Sequence, residues 1–255
     1  MEVPHFIFWE GLKAVSLIFL ALFAAKIIIV MQFPRQGRRG KALIKAALVL
    51  ALAVTAGLGA RTLGYDTAAE LYYLAAFKDF QQEHIRLAYA NSLRAIRLRP
   101  AELRYWQLLD RTKIEGRQFA SALADEPALE ILSGGRLGLG DEARFATCRY
   151  FLGHYHQVIL MTQHMIQQSR FYPVAYILQG MSYIALKQYR AAETTLVSML
   201  GLFPTDVNGV AALAHAYFLA GDTPSALAVL DVTRKYAFPP LARQRFDELK
   251  ALYAQ

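Results

Sequence analysis

GMSYIALKQYRAAETTLVSMLGLFP (residues 180–204) and AHAYFLAGDTPSALAVLDVTRKYAFP (residues 214–239) are the same helical hairpin written twice. Tyr183 and Tyr217 stand 34 residues apart, as do Ala192 and Ala226, Leu196 and Leu230, and Gly180 and Ala214. Gly180, Ala214, Ala192 and Ala226 are small enough to let two antiparallel helices approach closely, and the tyrosines and leucines fill the gaps beside them. One such hairpin cannot bury its own apolar face, so the pattern predicts a stack of them. Upstream, Phe145, Ala146, Tyr155 and Val158 sit at matching offsets in a unit closed by Pro173, with about three extra residues before the proline. Tyr72, Ala76, Ala88 and Ala95 form another, closed by Pro100. Between them Trp106 and Leu109 open a helix that runs to Glu115-Gly116, and a second helix follows until Pro127. Gly134, Gly135, Gly138 and Gly140 predict an irregular join over residues 133–141.

Taken in register, the first copy supplies Tyr176, Gln179, Gly180, Tyr183, Ala192, Leu196 and Pro204. The second supplies Val210, Leu213, Ala214, Tyr217, Ala226 and Leu230, with Pro239 one residue late. This pattern resembles the tetratricopeptide repeat family. The resemblance implies an all-α chain whose residues 65–255 form a solenoid of four to five hairpins, lined on its concave side by the first helix of each. With first helices at residues 173–186 and 207–220, the side chains left facing that surface are Ile177, Met181, Ile184, Ala211, His215 and Phe218. Tetratricopeptide domains that grip a C-terminal carboxylate use Lys, Arg and Asn there, and none stands at these six positions. The groove is therefore expected to take an apolar helix or peptide of another protein subunit, or else to be filled by the chain itself. Residues 241–254 read as an amphipathic capping helix, with Leu241, Phe246, Leu249, Leu252 and Tyr253 as its apolar side; a docking helix is the alternative.

The first sixty residues are a different kind of polypeptide. Residues 12–31 and 42–59 are almost wholly apolar, apart from Lys13 at the edge of the first run, Lys26 and Lys45, and each is near the roughly 20 residues that span a hydrocarbon core. Residues 1–60 are therefore read as two transmembrane helices. The basic loop between them and the start of the second run carry Arg35, Arg38, Arg39, Lys41 and Lys45, which by the positive-inside rule face the cytoplasm. That topology makes the chain a multi-pass protein of the inner (cytoplasmic) membrane, with its repeats on the periplasmic side. The rival is a cleaved signal sequence, with Gly57 and Gly59 as the small residues near the cut, releasing a soluble periplasmic or secreted peptide-binding module. Tyr72, Tyr73, Phe77 and Phe80 are expected in the core of the first repeat, with a partly interfacial role open to them because the link from Gly59 is short.

The formal charge of +8 is mainly topogenic. Residues 1–60 hold seven Lys/Arg and two Asp/Glu, leaving 21 and 18 for the rest, so nucleic acid is not an expected partner. Arg94, Arg97, Arg99 and Arg104 form the one local basic run, expected to be solvated near a helix end or to be a docking patch for acidic lipid or protein. Cys148 is the only cysteine. His154, His156 and His164 are too dispersed for a metal site, and Gly134 to Gly140 lacks the strand and the Lys-Ser/Thr of a nucleotide loop. No cofactor, metal, small-molecule substrate or catalytic constellation is expected. The sequence thus predicts a membrane-anchored scaffold or assembly subunit that binds protein subunits in a bacterial envelope complex, with the lipid bilayer as its second partner.

Overall fold

The computed structural model describes residues 64–231, 236 and 238–254. Both apolar runs and the basic loop between them lie outside the described residues. Among the described residues no helix is long and apolar enough to cross a membrane.

The described chain is α-helical: α1 over residues 64–81, α2 Ile85–Leu98, α3 Leu103–Glu115, α4 Phe119–Leu123, α5 Glu126–Leu132, α6 Leu139–Phe151, α7 Tyr155–Gln168, α8 Pro173–Ala185, α9 Tyr189–Leu202, α10 Val207–Leu219, α11 Thr223–Leu230 and α12 Pro240–Tyr253. One device closes every hairpin. Glu83, Arg117, Gly153, Lys187 and Gly221 have φ between +56° and +85°, at successive spacings of 34, 36, 34 and 34 residues. At each, two backbone bonds tie the turn. The N–H of Lys187 donates to Ile184 and that of Gln188 to Tyr183, both at 2.9 Å, and the same pair recurs at the other four turns. This is the Schellman closure of a helix C-terminus, and here three of its five left-handed positions are not glycine.

The turn fixes the register of everything around it. Five residues after it come Ala88, Ala122, Val158, Ala192 and Ala226, all fully buried. Seven residues before it come Ala76, Asp110, Ala146, Gly180 and Ala214. The reason for small residues is direct at Gly180, where a β-carbon would meet the Leu196 side chain at 2.7 Å. Among the described residues five turns of this kind each join two helices in a hairpin.

Pro127, read as the end of a helix, lies instead in the first turn of α5, whereas Pro173, which closes the preceding unit, is the first residue of α8, where the 173–186 reading puts it. A helix's first turn has no use for the proline's missing N–H. The third hairpin consequently has no three-residue excess. The second hairpin carries the irregularity: its outgoing helix breaks at residues 124–125 into α4 and α5, and Gly134 and Gly135 turn the chain at φ +80° and +84°. Gly140, expected in the join, lies inside α6, which Gly138 opens from an extended conformation.

The chain forms two compact units divided within α3, between Tyr105 and Trp106. In the first, Glu70 of α1 accepts from the Arg104 guanidinium at 3.0 and 2.8 Å and from the Tyr105 hydroxyl at 2.9 Å, while the Tyr73 and Tyr105 rings pack at 5.1 Å. Tyr73 and Phe80 are half-buried, but Tyr72 and Phe77 are exposed, which corrects the expectation that all four form a core. The basic run is largely engaged. Arg94 lies over the Tyr72 ring, Arg99 pairs with Asp66 and Glu102, and Arg104 is held by Glu70 and Glu102.

In the second unit, two apolar clusters centre on Leu196 with Met199 and on Leu230 with Phe246. A polar seam joins α3 to the helices after it. Gln107 donates to Asp141 and Arg144 donates through Nε to Asp110 at 2.8 Å, each pair one 34-residue step apart. Arg144 also contacts Asp141, Lys113 is bonded to Asp125, and Arg149 holds Glu126. Asp110 is completely buried at the position that other hairpins give to Ala or Gly. Cys148 is buried in α6, where burial pushes its thiol up to about 12.

Candidate functional site

Three helices wall a groove of about 420 Å³ in the second unit: α8 through Val174, Ile177, Leu178 and Met181, α10 through Asn208, Ala211, Ala212 and His215, and α12 through Arg245, Leu249 and Tyr253. The walls follow the repeat register. Ile177, Ala211 and Arg245 are spaced by 34 residues, and so are Met181, His215 and Leu249. Helix α12 thus occupies the place of another first helix. It docks on α11 and α10 by burying Ala242, Phe246 and Tyr253, and the Phe246 ring meets Phe238 edge-on at 5.3 Å. Its outward side is not wholly polar, since Leu241 and Leu252 are exposed beside Arg243, Gln244, Asp247 and Glu248.

Of the six residues expected on the concave face, the structure brings Ile177, Met181, Ala211 and His215 together in this groove. Ile184 is buried in the cluster around Leu196, and Phe218 stacks on the Tyr253 ring at 4.3 Å and 12°. Tyr253 therefore fills one end of this face, and the described residues leave the rest of the groove uncovered. Asn208 and Arg245 lie at the groove and were missed among the six. The Arg245 guanidinium donates to the Asn208 side-chain oxygen at 3.1 Å, placing a cation and an amide beside an apolar floor. The 34-residue step from Ile177 through Ala211 to Arg245 is the signal that could have found the arginine.

His215 is the titratable group set into the floor. Its Nδ1 lies 3.3 Å from the Tyr253 hydroxyl, and burial lowers its pKa below the ordinary 6.5. The imidazole is thus neutral near pH 7. A folded-state value below the unfolded one makes the folded form lose stability as pH falls through 6.5 and below it. We expect acidification to loosen the contact of α12 with α10 over that window, read as faster hydrogen exchange in α12, and His215→Gln to remove the pH dependence.

Among the described residues, His154 stands at the N-cap position of α7 with no side-chain bond to the helix, while His164 bonds to Gln168 one turn further along that helix. Tyr217 donates to Glu193 at 2.8 Å and so ties α10 to α9.

No protein-family profile and no curated protein matches the chain in sequence. Solved structures do match in fold. A tetratricopeptide protein of Thermus thermophilus superposes with a TM-score of 0.57 at 19% identity, covering 71% of this chain and 98% of its own. A tetratricopeptide repeat protein of Parabacteroides merdae gives 0.61 at 13% identity, over 93% and 89% of the two chains. YrrB, described as a TPR protein with an unusual peptide-binding site, gives 0.51 at 12%, over 69% and 90%. The fold is the tetratricopeptide repeat fold. Within it the five turns and the 34-residue ladder identify α1, α3, α6, α8 and α10 as first helices, and the groove as the surface between the last two and α12.

Proposed function

We propose that this tetratricopeptide chain is a membrane-anchored scaffold that holds an apolar helix or peptide of a partner subunit in the groove of α8, α10 and α12. The open groove carries the reading. Its floor of Leu178, Ala211 and Ala212 and its walls of Ile177, Met181 and Leu249 offer area burial of about 25 cal/mol per Å². Asn208 and Arg245 give that surface one polar end, which sets the direction in which a partner lies. Glu70, Asp110, Asp125, Glu126 and Asp141 are engaged in ion pairs, and the reading is of binding.

The anchor rests on sequence: two apolar runs, at residues 12–31 and 42–59, with five cations in and after the link between them. On this reading the repeats are periplasmic and the chain belongs to an assembly of the bacterial envelope. Tethering in the plane of the membrane raises the effective concentration of the partner.

Met181→Glu is the test. Met181 lines the groove as a partly buried side chain that also packs against the cluster around Leu196, so a carboxylate there places a charge against the ligand's apolar side, and the thermal midpoint is measured beside binding to separate the two effects. We expect co-purification of the partner subunit to fall at least about tenfold, a loss near 1.4 kcal/mol, while the chain stays folded. Unaltered co-purification would reject the groove. Carbonate extraction of membranes, with the N-terminal peptide followed by mass spectrometry, tests the anchor. A chain starting near Arg61 in the soluble fraction would replace it with a released peptide-binding module.

A further inference from the structure

An exposed end of a solenoid needs polar residues, yet the outward stripe of α1 carries leucines. Ala69 and Ala76 turn into the first hairpin and are fully buried. Roughly opposite them on the helix, Leu71 is 66% exposed and Leu74 45%, followed by the exposed Lys78. Helix α2 continues this surface. Asn91 of α2 donates to Asp79 of α1 at 2.9 Å, and Arg94 lies 5.6 Å over the Tyr72 ring, so the outward sides of the two helices meet along that edge. On α2 the outward residues are Leu87, 56% exposed, with Arg86, Arg94 and Arg97. Leucines and a tyrosine rimmed by lysine and arginines are what a helix lying in a lipid interface presents.

Chain length supplies the occupant. The second apolar run ends at Gly59, and five residues later Gly64 is already in α1. Five residues reach at most about 18 Å, and Leu71 and Leu74 lie within about 15 Å of the start of α1 along its axis. If the run spans the bilayer, this hairpin cannot leave the vicinity of the headgroups. We propose that the face formed by Leu71, Tyr72, Leu74 and Leu87, with Lys78, Arg86, Arg94 and Arg97 around it, rests in the interface of an anionic phospholipid bilayer. The proposal rests on the membrane-anchored reading and adds an orientation: the first hairpin lies on the membrane that holds it.

The test uses the full chain in vesicles of phosphatidylcholine and phosphatidylglycerol. Leu71→Cys carries an environment-sensitive nitrobenzoxadiazole probe, and Leu160→Cys, equally exposed but on α7, serves as the reference. The buried native thiol of Cys148, raised to about 12, stays unlabelled. Lipids spin-labelled just below the headgroup are expected to quench the probe at 71 by about half or more and to leave the probe at 160 unaffected. A chain that resists carbonate extraction while its probe at 71 remains in water overturns this proposal and leaves the anchor standing. A blue-shifted but unquenched probe overturns it as well, because protein, from this chain or a second copy, then covers the face. Extraction of the chain by carbonate overturns the anchor, and the proposal with it.

Discussion

Arg144→Met is expected to remove about 3–5 kcal/mol of stability from the unit that begins at Trp106, because it strands the Asp110 carboxylate in the core. Asp110 is fully buried; its Oδ2 accepts from Arg144, and its Oδ1 has no hydrogen-bond partner among the described residues. Burial already raises its pKa above the ordinary 3.8, against the opposing effects of the Arg144 hydrogen bond and charge and of Lys113. Removing Arg144 removes the two largest of those and raises the value further. The folded variant then binds a proton that the unfolded chain has released, over the window above 3.8. Stability of the variant therefore falls as pH rises through that window and recovers in acid. Urea denaturation at about pH 5 and about pH 7.5 is expected to show a smaller deficit against the parent at the lower value. Asp110→Asn in the Arg144→Met background is expected to restore most of the loss, since it substitutes a neutral amide. An equal deficit at both pH values, with no rescue, would show that the pair fills space and does not balance charge.

The second large effect is at the other end of the chain. Phe246→Ala is expected to cost about 3–5 kcal/mol, the range for emptying a buried phenylalanine site. In a stacked array this loss is local, because each repeat is held by its neighbours. Phe246 is fully buried and belongs to the cluster that also holds Val210, Leu230, Phe238 and Tyr253. Its truncation should release α12 and expose α11 to exchange while α6 to α9 keep their protection. The groove would lose Arg245, Leu249 and Tyr253 together, so partner binding should fall at least about tenfold. Exchange spread evenly through the unit, or binding as in the parent, would mean that α12 is not the third wall.

These two sites also mark where the sequence could and could not be read. The hairpins of α8 with α9 and of α10 with α11 were legible because Gly180, Ala192, Ala214 and Ala226 keep both residue type and spacing. The second hairpin was harder, since Asp110 holds the small-residue position and its size is matched by Arg144, 34 residues on and in another hairpin. A search by residue type cannot see that exchange. Glu83, Arg117 and Lys187 take left-handed turn positions without a glycine to announce them. Pro127 falls on the other side of its helix boundary from the one the sequence suggests, because a proline marks a boundary without saying which side of it the helix lies on. The groove was half legible: Ile177, Met181, Ala211 and His215 follow from the register, Asn208 required carrying that register one turn back along α10 from Ala211, and Arg245 required treating residues 240–253 as one more first helix. That the Tyr253 ring covers Phe218 depends on how α12 packs, which no spacing specifies.

The central claim is that the groove between α8, α10 and α12 holds an apolar segment of a partner, and photocrosslinking from position 181 of the full chain in its own membrane tests it most directly. The account predicts a crosslink to one contiguous, mainly apolar segment of another subunit, lost in Phe246→Ala and absent when the photoreactive group is moved to position 160. Crosslinks confined to this chain, or equal labelling from positions 181 and 160, would contradict it.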